Sequence, residues 1–184
     1  MNAHLLPTGS PYFTAPETQQ PERHTLSVLV DNEPGILARV VGLFSARGYN
    51  IDSLTVADIT EDHAVSRITI VTNGPPSVID QIEAQLERLV PVHKVTDLTT
   101  AGPHVERELA LIKVTGTGEK RGEALRLADI FRARPVDTTI ESFIFEITGP
   151  PDKVDSFIAL MRELGLVEVG RTGIVGMMRG AQGA

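Results

Sequence analysis

The chain has 184 residues, long for one minimal domain and about right for two small ones of roughly 75 to 90 residues each. Seventeen Lys and Arg against 24 Asp and Glu leave a net charge of -7, which argues against a groove tracking nucleic-acid phosphates, while 41% hydrophobic and 22% charged residues rule out disorder of the whole chain. The absence of cysteine removes disulfides, thiolate metal sites and cysteine nucleophiles, and no apolar run approaches the about 18 residues that cross a bilayer, so a cytoplasmic setting is expected.

Residues 1–23 carry Pro7, Pro11, Pro16 and Pro21 among Thr, Gln and Glu, and read as a disordered leader with neither a signal peptide's basic start nor its apolar stretch. From His24, alternation of Leu26, Val28 and Val30 with Thr25, Ser27 and Leu29 predicts a strand. Asp31-Asn32-Glu33-Pro34-Gly35 then opens a helix whose apolar face is Ile36, Leu37, Val40, Val41 and Phe44, and which stops near Arg47-Gly48. Ile51 to Ala57 and Val65 to Thr72 read as two strands joined by the turn Thr60-Glu61-Asp62-His63. A second helix follows Gly74-Pro75-Pro76, with Val78, Ile79, Ile82, Leu86 and Leu89 on one face, and a strand covers Val92 to Leu98. The order is βαββαβ.

Thr99 to Pro103 reads as a linker, after which the order recurs: strand Leu109–Thr115, helix Glu119–Phe131, strands Val136–Ile140 and Phe143–Thr148, helix Asp152–Leu164, and a strand from Leu166 to Val169 or beyond. Letters repeat as well. Gly74-Pro75-Pro76, Asp80, Ala84 and Leu89 match Gly149-Pro150-Pro151, Asp155, Ala159 and Leu164 at an offset of 75, and Phe44-Ser45-Ala46-Arg47 matches Phe131-Arg132-Ala133-Arg134 at 87. The expected fold class is α+β: two ferredoxin-like βαββαβ modules, each a four-stranded sheet with both helices on one face. The other face and the sheet edges are left bare, so a dimer is expected.

Candidate catalytic constellations fail one by one. Gly116-Thr117-Gly118-Glu119-Lys120-Arg121-Gly122 lacks the Ser or Thr that follows a phosphate-loop lysine and reads as a strand-to-helix turn. His4, His24, His63, His93 and His104 show no metal-ligand pairing, and Glu61-Asp62-His63 reads as a solvated hairpin tip. The segment with chemical content is Asn32 to Leu37 together with Asn50. A helix start offers unpaired, partially positive N–H groups suited to a carboxylate, a glycine at position 35 lets a ligand approach, and the amides of Asn32 and Asn50 both donate and accept. Each of the three residues taken alone is also accounted for as a cap or turn residue.

Leu26-Ser27-Val28-Leu29-Val30, Asn32-Glu33, Gly35, Arg39-Val40, Gly42-Leu43-Phe44-Ser45, Arg47-Gly48-Tyr49-Asn50-Ile51 and Ser53-Leu54-Thr55-Val56 together closely resemble the ACT domain of the small, regulatory subunit of acetohydroxyacid synthase, or acetolactate synthase. Val105-Glu106-Arg107-Glu108-Leu109-Ala110-Leu111-Ile112-Lys113-Val114 resembles the opening of that family's C-terminal domain, and Gly173-Ile174-Val175-Gly176 its closing strand. The resemblance implies an ACT domain over 24–99, a linker over 100–104, a C-terminal domain over 105–179 and a flexible tail over 180–184. It further implies a chain with no catalytic residue, metal or cofactor of its own, which dimerises through its ACT domains. Such a chain activates a catalytic large subunit carrying thiamine diphosphate, Mg and FAD, and confers feedback inhibition by valine or another branched-chain amino acid. Carried over by motif, the effector contacts are Asn32, Gly35, Ile36, Leu37 and Asn50. The long leader and Pro34 depart from the family pattern. An independent ACT-type amino-acid sensor controlling another enzyme is the competing reading.

Overall fold

A computed structural model describes residues 20–181 and residue 183. The first module runs β1 (Glu22–Asp31), α1 (Ile36–Arg47), β2 (Ser53–Asp58), β3 (Val65–Gly74), α2 (Pro76–Leu86) and β4 (Val92–Asp97), with sheet order β2-β3-β1-β4. After a single turn of helix, α3 (Leu98–Ala101), the second module repeats the plan. It runs β5 (His104–Thr115), α4 (Gly118–Phe131), β6 (Arg134–Thr138), β7 (Ser142–Gly149), α5 (Pro151–Leu164) and β8 (Leu166–Arg171), in the order β6-β7-β5-β8. The pairings within both sheets are antiparallel. Two ferredoxin-like modules are therefore present, as the element order predicts.

Three boundaries differ from expectation. The first 19 residues of the expected leader lie outside the described residues, but Glu22 and Arg23 belong to β1, where they pair with Gly74 and Asn73. Polar side chains hid this extension, because the strand is held there by its ladder and by an ion pair from Arg23 to Glu106 at 2.8 Å rather than by apolar burial. The expected linker, 100–104, shrinks to Gly102-Pro103: Thr100 and Ala101 complete α3, which Asp97 caps by accepting from the Thr99 N–H at 2.9 Å, and His104 already pairs with Met178. The expected tail lies partly outside the described residues.

Each module has its own core. In the first, Leu26, Val28 and Val30 of β1 and Ile68 and Ile70 of β3 meet Val40 and Phe44 of α1 and Ile79, Ile82 and Leu86 of α2. In the second, Ala110, Ile112 and Val114 meet Phe143, Phe145 and Ile147, with Ala124 and Ala128 from α4 and Val154, Phe157 and Met161 from α5. Structural equivalence places α1 and α4 84 positions apart, since their left-handed caps are Gly48 and Arg132, and the bulges at Leu29/Val30 and Lys113/Val114 share that spacing. The Phe44–Arg47 repeat at 87 is thus three residues out of register. Phe44 corresponds to Ala128, and on β7 Phe145 takes the place of Ile68.

The first sheet's second face is not bare. Thr25, Ser27, Thr69 and Val71 on it are buried. A further strand, β9 (Val175–Met178), pairs with the first four residues of β5, and the segment leading into it crosses that face. Ile174 is buried there, and Gly176 sits so close that a Cβ on it would stand 2.5 Å from Leu98 and 3.3 Å from Thr25. The chain itself covers this face of the first sheet, while β2 remains an edge strand.

Candidate functional site

Helix α1 starts at a corner built by backbone geometry. Gly35 is its N-cap, with φ 89° and ψ -5°, a left-handed conformation that favours glycine, and no side chain caps the helix. Asn32, a plausible cap by sequence, does not reach the helix: its amide donates to the His63 carbonyl at 2.8 Å, and its N–H donates to the Ala64 carbonyl, also at 2.8 Å. That pair of bonds ties the loop after β1 to the β2–β3 hairpin tip. A Cβ built on Gly35 would meet nothing within 4 Å, and no acidic residue occupies the first turn. The corner is open and partially positive. Ile36 turns into the core, whereas Leu37 stays exposed beside Gly35.

Asn50 lies elsewhere. It follows the far end of α1, and twelve residues at a rise of 1.5 Å set it about 18 Å from Gly35 along the helix axis. Its amide donates to the Asp52 carboxylate, which also accepts from Asn73, and its carbonyl accepts from the Thr72 hydroxyl at 2.6 Å. One chain therefore brings Asn32, Gly35, Ile36 and Leu37 together and leaves Asn50 apart, the two groups lying at opposite ends of one helix. Sequence reasoning missed Asp52, the residue that orients Asn50; its place two positions on is the signal that was there to read. The contact from Asn32 to His63 spans 31 residues and left no local signal.

Other polar groups do not rival this pair. A cleft of about 470 Å³ between the modules is lined by Arg23, Asp52, Glu108, Asp155 and Arg171, but none of the sequence-predicted residues enters it. Within it Arg171 holds Glu108 and, at 2.7 Å, Asp155, and these hydrogen bonds keep the guanidinium's pKa above its usual value against the effect of burial. The hairpin tip carries an exposed ion pair between His63 and Asp58, whose carboxyl the hydrogen bond and the histidine charge hold below the usual range. Among the described residues no group of three His, Asp or Glu side chains could hold a metal ion, and no helix is long and apolar enough to cross a membrane.

Comparison with known proteins gives one answer across the chain. Residues 26–94 match the family model for the AHAS small subunit-like ACT domain, and residues 107–180 match that for the small subunit of acetolactate synthase. A probable acetolactate synthase small subunit of Archaeoglobus fulgidus is 52% identical over 158 residues, 86% of this chain and 98% of that one. The acetolactate synthase isozyme 3 small subunit of Salmonella typhimurium is 48% identical over 159 residues, 86% of this chain and 96% of that one. Among solved structures, the acetolactate synthase small subunit from Thermotoga maritima aligns with a TM-score of 0.79 at 42% identity, covering 88% of this chain and 99% of that one.

Proposed function

The chain belongs to the acetolactate synthase small-subunit family, and on that footing we propose that it is a non-catalytic regulatory subunit which binds and activates the catalytic large subunit and confers feedback inhibition by a branched-chain amino acid, valine foremost. We assign thiamine diphosphate, Mg and FAD to that partner, and the assembly to the cytoplasm.

What supports the reading is this separation, which divides the proposed effector site between the two ends of α1. Strand β2 is an edge of its sheet, and six residues at about 3.3 Å each make it about 20 Å long, close to the about 18 Å that separates Gly35 from Asn50. Antiparallel pairing of β2 with β2 of a second copy sets the start of one strand against the end of the other. Asn50 of one protomer then arrives at the Asn32–Gly35 corner of its partner, twice per dimer, as a two-fold axis requires. Exposed Val56 and Ile59 lie at that edge and gain cover. The effector's carboxylate meets the helix start, the Asn32 and Asn50 amides read its polar end, and the apolar edge takes its side chain. Inhibition follows when the bound dimer geometry supports the catalytic chain less well than the free one; tight binding to both geometries alike shifts nothing.

Reconstitution tests this. Mixed with the large subunit, the wild-type chain raises the rate of acetolactate formation, and valine lowers it again. Gly35→Asp places a carboxylate where the effector's belongs, so activation survives and inhibition is lost; inhibition equal to wild type would reject the site, and no activation of the large subunit would reject the regulatory role and favour the independent sensor.

A further inference from the structure

A continuous line of contacts leads from the proposed site to the second module. Asn50 is held by Asp52, and the next residue, Ser53, accepts through its hydroxyl oxygen from the Ile174 N–H at 2.9 Å. Thr55, one position further along the same face of β2, donates its hydroxyl to the Ile174 carbonyl at 3.1 Å. Two side chains of one edge strand thus grip both polar groups of a single residue 119 and 121 positions away, and Ile174 is 6% exposed. The residue before it is Gly173, with φ 87°, where a Cβ would stand 2.8 Å from Thr55 and 3.3 Å from the Leu54 carbonyl oxygen.

The other end of this segment is fixed to the second module. The Thr172 N–H donates to the Leu109 carbonyl at 3.0 Å, and the Leu109 N–H donates to the Thr172 hydroxyl at 3.1 Å. Arg171 binds Glu108 of β5 and Asp155 of α5. Residues 171–174 form a strap, clamped to β5 and α5 at one end and to β2 at the other.

We propose that this strap couples effector occupancy to the second module, with Ser53 and Thr55 as its positioning residues. The proposal rests on the effector site described above. A change in the two-fold geometry displaces β2, the strand that both contacts the second copy and carries the grip on Ile174, and the strap passes the displacement to β5 and α5. Coupling between two sites is a free energy shared by both, so loosening the grip separates binding from response without removing either site.

The test uses the full-length chain reconstituted with the large subunit, and valine as the probe. Ser53→Ala combined with Thr55→Val binds valine within about threefold of wild type by calorimetry and activates fully, yet the apparent inhibition constant for valine rises at least about fivefold. Thr55→Ser, which keeps the hydroxyl, remains inhibited. In the unsubstituted chain, valine changes amide hydrogen exchange across 172–176. Equal inhibition of wild type and double variant, or exchange across 172–176 that ignores bound valine, overturns the coupling while leaving the effector site standing. Failure of valine to bind the wild-type chain overturns both.

Discussion

At Gly35 the backbone and the ligand make separate demands, and substitution distinguishes them. A methyl group there meets open space, so Gly35→Ala costs only the left-handed strain, about 1 to 2 kcal/mol by denaturant unfolding. Gly35→Asp adds a charge to the same strain, and the difference between the two variants in valine response isolates the ligand's carboxylate. Asn50→Ala removes the partner of Asp52 as well as the proposed effector contact; calorimetry with valine is expected to show affinity weakened by about tenfold, a loss of about 1.4 kcal/mol. The composition of this corner was legible in the residues, since a glycine before an apolar helical run and an amide after it are local signals. The role of Asn32 was not. Its place near a helix start favours a cap, but the left-handed turn at Gly35 moves that start three residues on, and the amide finds the His63 carbonyl instead.

Among the elements, apolar periodicity located β1, α1 and α2, and recurrence of the same order located the elements of the second module, including polar β6, which is wholly exposed at a sheet edge. What the letters misstated was equivalence. Phe44 and Phe131 look like one repeat, yet the position equivalent to Phe44 is Ala128, and the large ring at the centre of the second core is Phe145 on β7. Phe145 is fully buried, with ring centres of Phe143 and Phe157 at 5.2 and 6.1 Å. Since Ala124 and Ala128 cannot extend to fill a void, Phe145→Ala is expected to destabilise the chain by about 3 to 5 kcal/mol in denaturant unfolding.

Over the whole molecule, the two modules are joined by polar contacts as well as by the packing of residues 174–176 on the first sheet. Burial pushes the Glu106 carboxyl up, but hydrogen bonds from Arg23 and Thr25, with the charges of Arg23 and His104, outweigh burial and hold it below the usual glutamate range. A carboxyl whose folded pKa is lowered contributes stability above its unfolded value of about 4.3 and loses that contribution as the pH falls through the folded value. Glu106→Gln is therefore expected to be less stable than wild type near neutrality, with the gap closing on acidification below about pH 4, read by thermal unfolding across a pH series. Glu83 behaves oppositely, raised by burial and by Asp97, but it is common to both proteins and cancels in the difference. None of this joint was legible in sequence, because its polar partners lie 81 to 121 residues apart and no periodicity links them. The strand that seals the first module also sets an order of events on the ribosome. β4 ends at Asp97 and β9 at Met178, so at about 5 to 20 residues per second the nascent first sheet waits about 4 to 16 seconds for its cover. During that interval Leu98 and Val71 meet water or a chaperone, and a nonsense mutation that removes only the codons beyond Thr172 injures the amino-terminal half of the protein.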